Sequence, residues 1–243
     1  MTCKLHILTI PPVSANQECR TTARVCPEFA TRASGGKEKF ANKVVDFTIN
    51  IVPRSDAITR QFLSSQYLAT MTTNQSLYNP TRLRPNAISI ETKVTAGSGE
   101  TGKVQLTLWT LSWFSRIRAL LSPTNPNKPM NLPTHPMILV VGHKWELYFA
   151  VDHGSWMEVI GTMEIGDINS LEGVYKLLAS LRALGRWADK YVGTWWENEV
   201  VGCIRSHRLD AVAGASPAEE DLVGDHLLRG VPEEESPSEE DSS

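Results

Sequence analysis

No apolar run in this 243-residue chain is long enough to cross a bilayer; stretches such as Met137 to Val141 fall far short of the roughly 20 residues a spanning helix needs. That argues against a membrane protein. No secretory leader is expected from the opening residues: Lys4 to Ile10 is weakly apolar, meets Pro11-Pro12, and has neither a long apolar region nor a small-residue cleavage site. The four cysteines, Cys3, Cys19, Cys26 and Cys203, show no CxxC spacing, which removes the usual zinc and dithiol motifs. They read as free thiols in a reducing compartment, so an intracellular protein of nucleus or cytoplasm is expected. No internal repeat is present.

What remains is the composition of a soluble globular protein, 41% hydrophobic and 21% charged, at a length where one domain is the natural expectation. The net charge of -3 hides an asymmetry. Residues 214 to 243 hold ten acids and one base; taking these from totals of 27 and 24 leaves 17 acidic and 23 basic residues in the body. A basic body suits a nucleic-acid partner without demanding one. The Glu/Ser/Pro-rich end has too little apolar content to fold. Three segments follow: an irregular one over residues 1–19, a folded domain over 20–205, and an acidic disordered tail over 206–243.

Within the body the pattern predicts short strands over Arg20–Val25 and Val44–Val52, and a helix over Ala57–Met71. A polar, turn-rich stretch, Asn74 to Arg84, precedes a strand over Ala87–Val94. A helix over Thr101–Leu121 is stopped by Pro123. Strands over Met137–Val141 and Trp145–Val151 flank a Gly142-His143-Lys144 turn, with a further strand over Trp156–Ile165. The clearest helix runs from Ser170 to Tyr191, with apolar residues at three- and four-residue steps. This order implies an α/β fold with a mixed sheet and helices on its faces. The expected core includes Val45, Phe47, Ile49, Ile88, Ile90, Leu108, Ile138, Val140, Leu177 and Leu181, and the seven tryptophans read as core rather than as base-stacking groups.

Charges set into the strands carry the functional signal. Residues i and i+2 of a strand share a face, so Glu91 and Lys93 point together, away from Ile88 and Ile90. Asp46, between Val45 and Phe47, interrupts a strand that looks buried, and a buried carboxylate needs a partner or a metal. Two carboxylates and an ammonium suit metal-dependent phosphodiester hydrolysis: hard oxygens hold Mg²⁺ and the lysine steadies charge on phosphate. A salt-bridged strand face explains the Glu-x-Lys triplet alone equally well. Gln105, on a helical stripe with Trp109 and Trp113, is either a surface amide or a contact to Lys93 or phosphate.

Gly97 to Lys103 fits the spacing GxxxxGK between strand and helix. Val104 stands where a phosphate-binding loop carries Ser or Thr, so a flexible glycine turn is the better account. His143, Glu146 and His153 fall at turns, where polarity explains them without a metal.

The segments Lys43–Ile51, Ala87–Val94, Val104–Trp109 and Met137–Phe149, followed by the leucine-rich helix, resemble the fungal PD-(D/E)XK nuclease-like domain of the restriction-endonuclease-like superfamily. The likeness covers roughly residues 20 to 200. Val45 stands at the pattern's nominal proline. The resemblance implies a restriction-endonuclease-like mixed sheet flanked by helices. It implies that Asp46, Glu91 and the carbonyl of Thr92 ligate Mg²⁺ or Mn²⁺, that Lys93 orients water and stabilises the transition state, and that Gln105 supports Lys93 or the scissile phosphate. Residues 1–19 do not read as the helix that opens the superfamily core. Two outcomes therefore stand: a nuclease acting on DNA or RNA, or a catalytically silent module that binds nucleic acid or protein.

Overall fold

The computed structural model describes residues 6–7, 24–30, 45–54, 71–122 and 130–204. All lie in one compact unit, Met1–His207. The expected tail, the helix over 57–71 except Met71, and all of the first strand except Arg24 and Val25 fall outside the described residues.

The sheet has six strands in sequence order: β1 (His6–Ile7), β2 (Phe47–Asn50), β3 (Asn86–Lys93), β4 (His135–Val141), β5 (Lys144–Asp152) and β6 (Met157–Asp167). Neighbours are antiparallel except β3 and β4, which run parallel. A parallel pair needs a crossover, and α1 (Gly99–Leu121) supplies it. The fold is thus α/β with a mixed sheet, as the element order implied. β1 went unread because two residues carry no period, and Val25 makes only an isolated bridge to Ser76.

α2 (Leu171–Trp187) is capped by Ser170, whose side chain accepts from the Gly173 N–H. It crosses β6 at Gly166, a positive-φ residue (143°) where an added Cβ would sit 2.6 Å from the Leu177 nitrogen. The helical path continues through wide π turns at Ala188–Val192 and Trp196–Val201. That continuation, which the sequence reading ended at Tyr191, carries Trp196, Val200 and Val201 into the core and reaches β3 and α1.

Ile88, Ile90, Ile138 and Val140 fill the core from the middle strands, with Leu106, Trp113, Phe114 and Ile117 from α1. Of the residues expected there, Val45, Ile49 and Leu177 are also buried, Phe47 and Leu181 pack half-buried against it, and Leu108 lies outside it. Trp109, Trp113 and Trp196 are buried, whereas Trp156 is exposed at the β5–β6 turn, stacked on His153 with ring centroids 4.0 Å apart.

The polar stretch before β3 is interior, not surface. Thr72 through Ser76 are buried. The Asn74 amide donates to the carbonyls of Thr81 and Arg84, and its oxygen accepts from the Asn86 N–H. The Arg116 guanidinium of α1 donates to the Thr72 carbonyl, and Gln75 donates to the Trp109 carbonyl. Side chains here replace a regular ladder, as buried backbone groups require. Asn86 donates to Ser89, whose hydroxyl shares a hydrogen bond with His135 Nε2 at 3.0 Å.

Burial pushes the His135 imidazole down to about 3. Its folded pKa lies below the unfolded value of about 6.5. The uncharged ring therefore contributes stability above about pH 6.5 that is lost as pH falls toward 3. In chemical denaturation, wild type should lose about 1.4 kcal/mol per pH unit more than His135→Gln across that window; parallel pH profiles would contradict this.

Candidate active site

The β2–β3 register, with Phe47 opposite Ile90, sets Asp46 across from Glu91 one step beyond the paired residues. β2 begins at Phe47, so Asp46 sits in the bend before it and is exposed. The expectation of a buried Asp46 is therefore corrected: the strand starts one residue too late to enclose it. Its Oδ2 accepts from the Thr92 N–H at 2.8 Å and from the Thr92 hydroxyl at 2.6 Å, tying the entry of β2 to the end of β3.

Glu91 is 1% exposed. Its Oε1 accepts from Lys93 Nζ in a part-buried ion pair, as the i, i+2 alternation requires. Its Oε2 is buried and has no hydrogen-bond partner. Burial raises the Glu91 pKa; the Lys93 hydrogen bond and charge pull it back, the nearby Asp46 charge raises it further, and the Asp46 main-chain N–H lowers it.

α1 covers this face of the sheet at close range. A Cβ on Gly102 would sit 2.6 Å from Leu139 Cδ1 and 3.2 Å from Lys93 Cγ. Gly102 thus lets the helix press on the Lys93 stem and hold its ammonium toward Glu91. Sequence reasoning set this glycine inside the helix expected over Thr101–Leu121, while also reading Gly97 to Lys103 as a flexible turn. Gly99 to Lys103 instead form the first residues of α1, and the Lys103 ammonium pairs with Glu100 at 2.7 Å. The available signal was a glycine inside a helix, which costs about 1 kcal/mol against alanine and invites a packing reason. Thr92 was read only for its carbonyl; its N–H and hydroxyl are what position Asp46.

Gln105 lies in the second turn of α1, half-buried, with no hydrogen-bond partner among the described residues. Beside the strand ends, a cavity of about 510 Å³ is floored by Leu139 and Val141 and rimmed by Lys103, His143, Lys144 and Glu146. Tyr148 donates to Glu146, and Lys103 lies over the Tyr148 ring.

Among the described residues, no three His, Cys, Asp or Glu side chains gather into a metal cluster. The donors here are two carboxylates and the Thr92 main chain. The set is hard oxygen, and Glu91 Oε2 is a buried acceptor without a partner, a chemistry that would suit Mg²⁺ or Mn²⁺.

The family model described as the PD-(D/E)XK nuclease superfamily matches residues 6–196. No curated protein matches the chain, and no solved structure does.

The raised Glu91 pKa has a consequence for stability. A carboxyl whose folded pKa exceeds its unfolded one binds its proton more tightly when folded. It costs nothing below about pH 4.3 and costs more as pH rises through the folded value. Without metal, Glu91→Gln should melt at or above the wild-type temperature at neutral pH, with the difference vanishing near pH 4. A variant that is less stable than wild type only at neutral pH would show that the ion pair outweighs desolvation.

Proposed function

The chain belongs to the PD-(D/E)XK nuclease superfamily, and on that premise we propose that it hydrolyses phosphodiester bonds of DNA or RNA with a divalent metal ion. The observation that carries this reading is the buried, unpartnered Oε2 of Glu91, beside Lys93 and across from Asp46. Asp152, paired with Arg118, also leaves an oxygen open, but only at Glu91 does a second carboxylate lie across from it, where a shared cation would balance both.

Asp46, Glu91 and the Thr92 carbonyl would hold Mg²⁺ or Mn²⁺. When bound, the ion supplies Lewis-acid stabilisation of phosphate charge and makes water more acidic. The protein's own part is electrostatic and positional. Glu91 anchors the Lys93 ammonium, which donates to the attacking water and to the phosphoryl oxygen where charge grows. Gly102 fixes the lysine stem, and Thr92 orients Asp46. Gln105 carries a free amide in the second turn of α1 and would serve as a phosphate contact. The cavity rimmed by Lys103 and Lys144 offers cationic groups for the strand flanking the cleaved bond.

One observation favours a second reading. Two carboxylates rather than three gather among the described residues, which would suit a module that binds nucleic acid without cutting it.

Cleavage of mixed DNA and RNA substrates with Mg²⁺ or Mn²⁺ separates the two. The active reading expects metal-dependent cleavage that Lys93→Ala lowers about 100- to 1000-fold. Gly102→Ala should lower it too, while overpacking costs about 1–3 kcal/mol of stability. Metal-independent binding with no cleavage would establish the silent module.

A further inference from the structure

α2 carries two apolar faces where a helix lying on a sheet needs one. Gly173, Leu177 and Gly185 are buried, and Leu181 and Leu184 pack against the core. Leu171, Val174, Tyr175 and Leu178 are instead exposed, at 74%, 41%, 66% and 41%. Their i, i+3, i+4, i+7 spacing makes one continuous stripe. Ile168, just before the helix, is exposed and extends it. A single exposed leucine needs no explanation, but a contiguous stripe does.

The stripe has a charge polarity. Glu172 flanks its N-terminal end, and Arg182 continues it one turn past Leu178. Both are exposed, and neither has an ion-pair partner among the described residues. A parallel copy would set like charge against like. An antiparallel copy, related by a two-fold axis near Lys176 and Leu177, sets Tyr175 over the other copy's Leu178. The same axis brings Glu172 within one residue's rise of its Arg182, inside the reach of the two long side chains, and every contact occurs twice. The opposed helix dipoles favour this arrangement. A two-fold interface must be self-complementary in this way. A lipid surface, by contrast, would want basic groups at both ends of the stripe.

We infer that two copies of this chain associate through antiparallel packing of α2 on α2. The inference does not rest on the nuclease reading.

Analytical ultracentrifugation of the full chain tests it. Wild type should sediment as a dimer. Tyr175→Glu should give a monomer with unchanged far-UV circular dichroism. Glu172→Arg and Arg182→Glu should each weaken the dimer several-fold, and the two together should restore it. A wild type that stays monomeric at hundred-micromolar concentration overturns the inference, and flotation of that monomer with phosphatidylcholine vesicles would assign the stripe to lipid instead. A dimer indifferent to all of these changes also overturns it.

Discussion

Glu91 is a carboxylate taken out of water at the end of a central strand, and its surroundings are arranged around that cost. Lys93 satisfies one oxygen, and the Asp46 N–H helps. The second oxygen stays buried and unpaired. An unsatisfied buried acceptor costs roughly 1–3 kcal/mol. On the proposed reading the same charges lower the stability of the metal-free fold and create affinity for a cation, so that folding stability and metal binding would draw on one group.

That arrangement needs α1 held rigidly close to β3. The anchors lie along the whole helix. Arg116 and the Trp109 carbonyl tie it to the buried polar stretch, and Arg118 forms an ion pair with Asp152 of β5. At its N-terminal end these anchors bring Gly102 onto the Lys93 stem. The interior polar network at one end of the helix thus sets the position of a charged group at the other.

Much of this was legible in the sequence. Period-2 alternation gave β3 and the pairing of Glu91 with Lys93, and the leucine spacing gave α2. What was hidden depends on tertiary context. The stretch from Thr72 to Ser76 reads as polar, and nothing local says that its polarity is spent inside the protein. Gly102 acquires meaning only once Leu139 and Lys93 lie beneath it. Asp46 looked buried because its neighbours are apolar, yet the strand begins one residue after it. The apolar spacing of α2 could not show that only part of its width meets the core, with Leu171 and Tyr175 left facing water.

The central claim is that Asp46 and Glu91 share a cation, and melting curves of wild type and Asp46→Asn, each with and without Mg²⁺, test it most directly. Ligand binding to the native state raises the melting temperature by mass action. Wild type should therefore gain from Mg²⁺. Asp46→Asn should equal or exceed wild type without the ion and gain nothing from it. A mutant that is destabilised without Mg²⁺, by an amount the ion does not change, would contradict the claim and leave Asp46 as a structural tie to Thr92.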